Sequence, residues 1–230
     1  MSPMKLYNLY TYAFLKTPTE KLKLPVGITN PVLLITSGTL SAVVEPEVCL
    51  DTLQNDEECL IQAVLCHDRV IYELFQQTTV LPLRFGISFI EAKNLLIHLN
   101  SNAQEYQDKI EQLEGKGEYL LKCIPRKLQE PVLSPDLGGR QYFLAKKQHY
   151  QAQQNFDILQ GAEWQNIVHL VTEIYPSTII IASTEAESRI YLLVKFKDEY
   201  LLTDQFLNWQ KACPRWELQL GQVSPPYHFI

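Results

Sequence analysis

The stretch at residues 78–86, TTVLPLRFG, sets Arg84 inside an otherwise apolar run, two residues after a proline that has no backbone N–H to give a sheet. Strand alternation places Leu81, Leu83 and Phe85 on one face and Val80, Pro82 and Arg84 on the other. Pro82 predicts an edge strand, or a strand start or bulge. The leucine face is expected to meet helices, leaving Arg84 on the opposite face. In residues 117–124, GEYLLKCI, the same alternation sets Glu118 beside Leu120 and Lys122. Glu118 is therefore the expected carboxylate for Arg84 in a fork-like pair. Tyr10 and Tyr12 border the same surface. Either a second domain or the apolar segment SPPYHFI at 224–230 is expected to cover it, with Tyr227 or Phe229 against Arg84 as a cation–π contact.

Upstream, residues 5–15 read as a strand and residues 32–44 as a hairpin turning at Ser37-Gly38 and closed by Pro46. From Asp56 the period becomes helical. Leu60, Val64, Ile71 and Leu74, joined by Ile61, Leu65 and Phe75, predict a helix to about Gln77 with its acids in the first turn. Downstream, Ser88 and Glu91 fit a capping box for one long helix through Leu113, stopped by Gly115. Residues 117–124 then read as the last strand of the first half.

The Pro- and Gly-rich run at 125–138 is the expected linker. Beyond it, helices at 140–160 and 162–175, strands at 178–182 and 189–196, a helix at 198–212 and a strand at 215–220 are expected. The fold class is α+β. Two small domains, 1–124 and 139–222, each carry a mostly antiparallel sheet with helices packed on one face. The topology is ferredoxin-like and modified, with an extra N-terminal strand in the first domain, an irregular second domain and a docked C-terminal tail at 223–230.

The 230 residues carry a net charge of -6 and are 46% hydrophobic and 20% charged, which is the composition of an ordinary globular protein. That balance points away from nucleic-acid and anionic-membrane partners, which need clustered Lys and Arg. No apolar stretch reaches bilayer-spanning length, and the first residues lack the apolar core and cleavage site of a signal peptide. The five cysteines are scattered without a CxxC pair, so reduced and mostly buried thiols of a cytosolic protein are expected.

Cys66-His67-Asp68 has the residue types of a catalytic triad but not its geometry, because adjacent helix residues point about 100° apart. His67 falls on the helical apolar stripe and reads as a hydrogen-bonded core or interface histidine. The remaining histidines are isolated, so neither a metal site nor a cofactor site is expected. GKGE at 115–118 lacks the outer residues of a P-loop, and DLGGR at 136–140 reads as a domain-entry loop. An alternative reading is a small-molecule-binding or enzymatic ferredoxin-like protein with a site around Cys66, His67 and Arg84.

Several segments, in this order, resemble the gas vesicle protein family GvpF/GvpL. LSAVV (40–44) is similar to that family's LxAVV, and residues 67–86 to its H-x-x-V-V…V-L-P-x-R-F-G signature. GKGEYLLKC (115–123), GGRQYFLAKK (138–147, with Arg140 and Tyr142) and PPYHF (225–229, with Pro225, Pro226, Tyr227 and Phe229) resemble three further family patterns. The family commonly ends G-P-W-P-P-Y-x-F, whereas this chain reads GQVSPPYHF, which leaves the F and L subtypes both open.

The resemblance implies a non-enzymatic minor structural or accessory protein needed for gas vesicle assembly. It implies no cofactor, and contact with the hydrophobic major shell protein or with other gas vesicle accessory proteins. The protein would be cytoplasmic before assembly and a minor vesicle component afterwards. His67, Arg84, Phe85, Glu118, Arg140, Tyr142, Pro225, Pro226, Tyr227 and Phe229 are the structural and interaction candidates.

Overall fold

The structure, a computed structural model, describes residues 7–129, 139–183 and 187–230. The chain divides into two compact units, Met1–Glu118 with Ser224–Ile230, and Tyr119–Val223. Each contains one sheet, and the fold is α+β.

In the first unit β1 (Tyr7–Lys16) lies beside β3 (Leu40–Pro46), which lies beside β2 (Leu33–Ser37). Gly38 makes the β2–β3 turn at φ 60°, a backbone conformation that glycine adopts without a Cβ penalty. On its other side β1 meets the two-residue β4 (Leu81–Pro82), and its start also pairs with β5 (Ser88–Glu91). Pro82 thus sits on an edge strand, where its missing N–H removes no ladder bond.

After a single-turn helix, α1 (Leu50–Gln54), comes α2 (Glu57–Phe75). Asp56 caps α2, its side chain accepting from the Cys59 N–H at 3.0 Å. Ala63, His67, Val70, Ile71, Leu74 and Phe75 form its buried face; His67, Ile71, Leu74 and Phe75 were expected there, whereas Val64, Ile61 and Leu65 of the expected stripe are exposed. The core of this unit includes Leu9, Phe14, Val43, Val44, Leu95 and Ile110.

Two local readings are corrected. Ser88 and Glu91 do not form a capping box: β1 offers them backbone partners, pairing Tyr10 with Ser88 and Tyr7 with Glu91. The long helix is divided into α3 (Ala92–Ser101) and α4 (Ala103–Leu113). Asn102, at φ -112° and ψ 16°, interrupts the helical backbone, and its side chain donates to the His98 carbonyl at 2.8 Å.

The next strand, β6 (Lys116–Pro125), belongs to the second sheet rather than closing the first. Its residues Leu121–Pro125 pair with Leu220–Trp216 of β9 (Trp216–Leu220), and Tyr119, Leu121 and Cys123 enter the core of the second unit. The compact units therefore divide at Glu118/Tyr119, upstream of the expected linker, whose residues 130–138 lie outside the described ones.

Between β6 and β9 run α5 (Gly139–Ile174), β7 (Ile179–Ile181), β8 (Ser188–Lys195), a 3-10 turn at Phe196–Asp198 and α6 (Glu199–Ala212). The two helices expected at 140–160 and 162–175 are one continuous α5. Gly161 is tolerated within it, at the roughly 1 kcal/mol cost of a helical glycine.

The sheet order is β7-β8-β6-β9. With a helix in each crossover, that is the βαββαβ ferredoxin-like arrangement. The second unit, expected to be irregular, is the regular one. Its core gathers Ile167 and Val171 of α5, Leu192 and Val194 of β8, and Leu202 and Trp209 of α6. Among the described residues no helix is long and apolar enough to cross a membrane.

Candidate functional site

His67 is 5% exposed on the inner face of α2. Its ring stacks on Tyr12 at a centroid distance of 5.3 Å and meets Tyr10 and Phe85 edge-on, each at 5.6 Å. Nε2 lies 3.0 Å from the Leu83 carbonyl, and Nδ1 lies 2.6 Å from the Tyr10 hydroxyl. A carbonyl can only accept, so Nε2 carries the hydrogen and Nδ1 accepts from Tyr10. Burial holds the imidazole pKa below its ordinary value, outweighing the Leu83 hydrogen bond and the charge of Asp68. The ring is neutral, and both nitrogens are engaged within the fold.

The residue beneath it depends on an irregularity in β1. The β1–β3 register shifts between Thr11 and Ala13, making Tyr12 the extra residue of a β-bulge, a device that re-aims a side chain. The Tyr12 hydroxyl donates to Glu45 Oε2 at 2.5 Å. Glu45 is fully buried, and among the described residues it forms no salt bridge. Its carboxylate also accepts from the backbone N–H groups of Ile28 (2.7 Å), Thr29 (2.6 Å) and Asn30 (2.6 Å) and from the Thr29 hydroxyl (2.9 Å).

Burial alone would raise the Glu45 pKa, but the Tyr12 and backbone hydrogen bonds hold it below the usual carboxylate value. Loop 26–31 reaches the carboxylate because Gly27 has no side chain. A Cβ there would stand 2.2 Å from Glu45 Oε2 and 2.5 Å from the Asn30 carbonyl oxygen. Burial also pushes the Tyr10 and Tyr12 hydroxyls well above the ordinary tyrosine pKa, so both stay protonated.

The 224–230 segment belongs to the same unit. Ser224 exchanges backbone hydrogen bonds with Glu118, at 2.9 and 3.0 Å. The Glu118 carboxylate, 3% exposed, then takes the His228 backbone N–H at 2.9 Å and lies 2.8 Å from His228 Nδ1. Tyr227 donates its hydroxyl to Asp68, the residue after His67 on α2. Pro225 and Pro226 are buried, and as fixed-φ residues they reduce the entropy lost when the segment is ordered.

Two expectations for Arg84 are overturned. It is exposed, and it starts a turn closed by a 3.4 Å hydrogen bond from the Ile87 N–H to its own carbonyl, with Gly86 at φ 96°. The strand ends at Pro82, so alternation does not extend to Arg84, and Val80, Leu81 and Pro82 are all buried. Glu118 pairs with His228 instead, and among the described residues the cation–π contact is Arg215 over Phe156 rather than Arg84 with Tyr227 or Phe229.

The fold brings His67 and Phe85 together. It places Glu118, Pro225, Pro226, Tyr227 and Phe229 at the docked segment. Arg140 and Tyr142 stand exposed at the start of α5, in the other unit. Cys66 lies beside Arg69, whose guanidinium is 3.2 Å from its sulfur, so it does not converge with His67 and Arg84. Cys123 and Cys213 are buried, but Cys49 and Cys59 are exposed, against the expectation of mostly buried thiols.

Glu45, Asp68 and His228 were missed as site residues. An acid following the apolar run LSAVV was the available signal for Glu45. Among the described residues no group of three or more His, Cys, Asp or Glu is placed to hold a metal ion.

The family model of the gas vesicle synthesis protein GvpL/GvpF matches residues 8–230. The crystal structure of the gas vesicle protein GvpF from Anabaena sp. PCC7120 matches with a TM-score of 0.68 at 15% identity, over 97% of this chain and 95% of that one. That of GvpF from Microcystis aeruginosa matches with a TM-score of 0.69 at 15% identity, over 97% of this chain and 98% of that one. No curated protein matches the chain. The two structural likenesses speak for the fold, and the family match runs from the first described strand to the end of the docked segment. The chain belongs to the gas vesicle synthesis protein GvpL/GvpF family.

Proposed function

We propose that the protein is a non-enzymatic accessory or minor structural protein of gas vesicles, needed for their assembly. It acts by binding the hydrophobic major shell protein or other gas vesicle proteins. The family match over residues 8–230 carries the vesicle part of this reading. The non-catalytic part is supported by the way the polar groups of the first unit are engaged. Both His67 nitrogens and both Glu45 oxygens are bonded within the fold, where they fix one arrangement of sheet, helix and loop.

The alternative, a reactive site around Cys66, His67 and Arg84, would need a free imidazole nitrogen and converging side chains. A binding role has material in the exposed apolar residues Ile61, Leu65 and Tyr72 of α2 and Phe143 and Tyr150 of α5. On this reading the protein is cytoplasmic before assembly and a minor vesicle component afterwards, which immunolocalisation on intact and collapsed vesicles tests.

The test is deletion of the gene in a vesicle-forming host, followed by electron microscopy. Absent or misshapen vesicles, restored by the plasmid-borne gene, are the expected result. Normal vesicles in the deletion strain would remove the proposal.

A further inference from the structure

The first half of α5 buries none of its side chains among the described residues. Only Ile167 and Val171 of its residues are buried, and both lie in its last turns. Among the described residues, the first hydrogen bond or ring contact from the helix to another element comes at Phe156, whose ring lies under the Arg215 guanidinium, and then at Gln160, whose amide donates to the Arg126 and Arg215 carbonyls. Residues 139–155 precede those contacts, a run of about five turns. Helices usually draw their stability from packing an apolar face, so an isolated run of this kind is suited to a partner.

The surface of that run has a pattern. Phe143 and Tyr150 are 68% and 64% exposed, and their spacing of seven puts them on one line along the helix. Lys146 flanks that line on one side and Lys147 on the other, since they lie about 50° to either side of it at 100° per residue. Phe143, Lys146, Lys147, His149, Tyr150 and Gln153 together line a shallow depression of about 360 Å³. Arg140 adds a third cation, and no Asp or Glu occurs from 139 to 156, although the whole chain carries a net charge of -6.

A narrow aromatic seam between cations has the form of one half of a heterotypic helix pair, in which flanking charges select the opposite sign. Apolar residues elsewhere on this run, Tyr142 and Leu144 among them, are dispersed round the helix. They do not form the broad apolar face that an interfacial membrane helix needs.

We infer that the Phe143–Tyr150 seam of α5 is a docking surface for an amphipathic helix of another protein whose apolar stripe is flanked by Asp or Glu. The inference rests on the surface of α5 and stands whether or not the vesicle proposal holds.

It is tested with the full chain and a fluorescently labelled, designed helical peptide carrying leucines at heptad spacing with glutamates on both flanks. Anisotropy should show saturable binding that weakens as salt is raised. The double variant Lys146→Glu/Lys147→Glu should weaken it at least roughly tenfold, as should Phe143→Ala/Tyr150→Ala, while Lys93→Glu on α3 leaves it unchanged. These side chains are exposed, so circular dichroism should report the same fold throughout. A peptide of the same composition with its leucines scrambled should not bind.

Absence of binding, or binding insensitive to the α5 variants, would overturn the inference. So would binding of anionic phosphatidylserine vesicles, but not of the peptide, through the same residues. Self-association of the chain that these variants abolish, without peptide binding, would assign the seam to a second copy and equally overturn it.

Discussion

Gly27 packs against Glu45 so closely that a Cβ on it would stand 2.2 Å from the carboxylate. The loop N–H groups of Ile28, Thr29 and Asn30 converge on one carboxylate because nothing projects from Gly27. Gly27→Ala should therefore force the loop off Glu45, leaving a buried carboxylate short of donors. A loss of at least about 2 kcal/mol in urea denaturation is expected; an unchanged midpoint would contradict this geometry.

His67 makes a pH prediction of definite sign. Its folded pKa lies below the ordinary 6.5, so below about pH 6.5 the unfolded chain takes up a proton that the native chain refuses. The contribution is complete above that pH and is lost as the pH falls toward the folded pKa. His67→Gln should be less stable at neutral pH, and its urea midpoint should fall less steeply than the wild type's as pH drops from about 7 to about 5. Equal slopes would contradict a buried neutral imidazole. Its burial agrees with Ile71 one turn on but not with Val64, which is exposed, and its partners were not legible, because Tyr10 and Leu83 reach it only through long-range pairing.

At the scale of elements, the 224–230 segment closes the first unit by supplying donors to Glu118. Removing residues 224–230 should strip that carboxylate of the His228 donors, at a cost of about 1–3 kcal/mol. Glu118→Gln in the truncated chain should recover part of the loss, because the amide needs less solvation than the anion. A truncated chain as stable as the full one, or no recovery, would show that the pairing contributes nothing.

Docking of this segment was legible in its prolines and aromatics, but its acceptors were not. Glu118 was assigned to Arg84 on the premise that alternation continued through residue 84. Gly86 turns the chain instead, and a turn erases the period on which the premise stood. The Ser88/Glu91 pattern failed for a related reason. A cap stabilises a helix end locally, but an adjacent strand offered those residues a full backbone ladder.

At the scale of the whole molecule, the α+β class and most element positions followed from periodicity, because apolar spacing reports which face is buried. The allocation of β6 did not. Its alternating residues 119, 121 and 123 would suit either sheet, and only pairing with β8 and β9, both far later in the chain, decides between them. The family resemblance rested on ordered motifs, several of which lie at structural junctions (an edge strand with its turn, the start of β6, the start of α5 and the docked segment), whereas LSAVV lies within β3 and the first part of the 67–86 signature within α2.

We propose that the protein serves gas vesicle assembly. The most direct measurement is electron microscopy of a vesicle-forming strain from which the gene has been deleted, beside the same strain carrying the gene on a plasmid. Vesicles should be missing or misshapen in the first and normal in the second; normal vesicles in both would show that the protein is not needed for assembly.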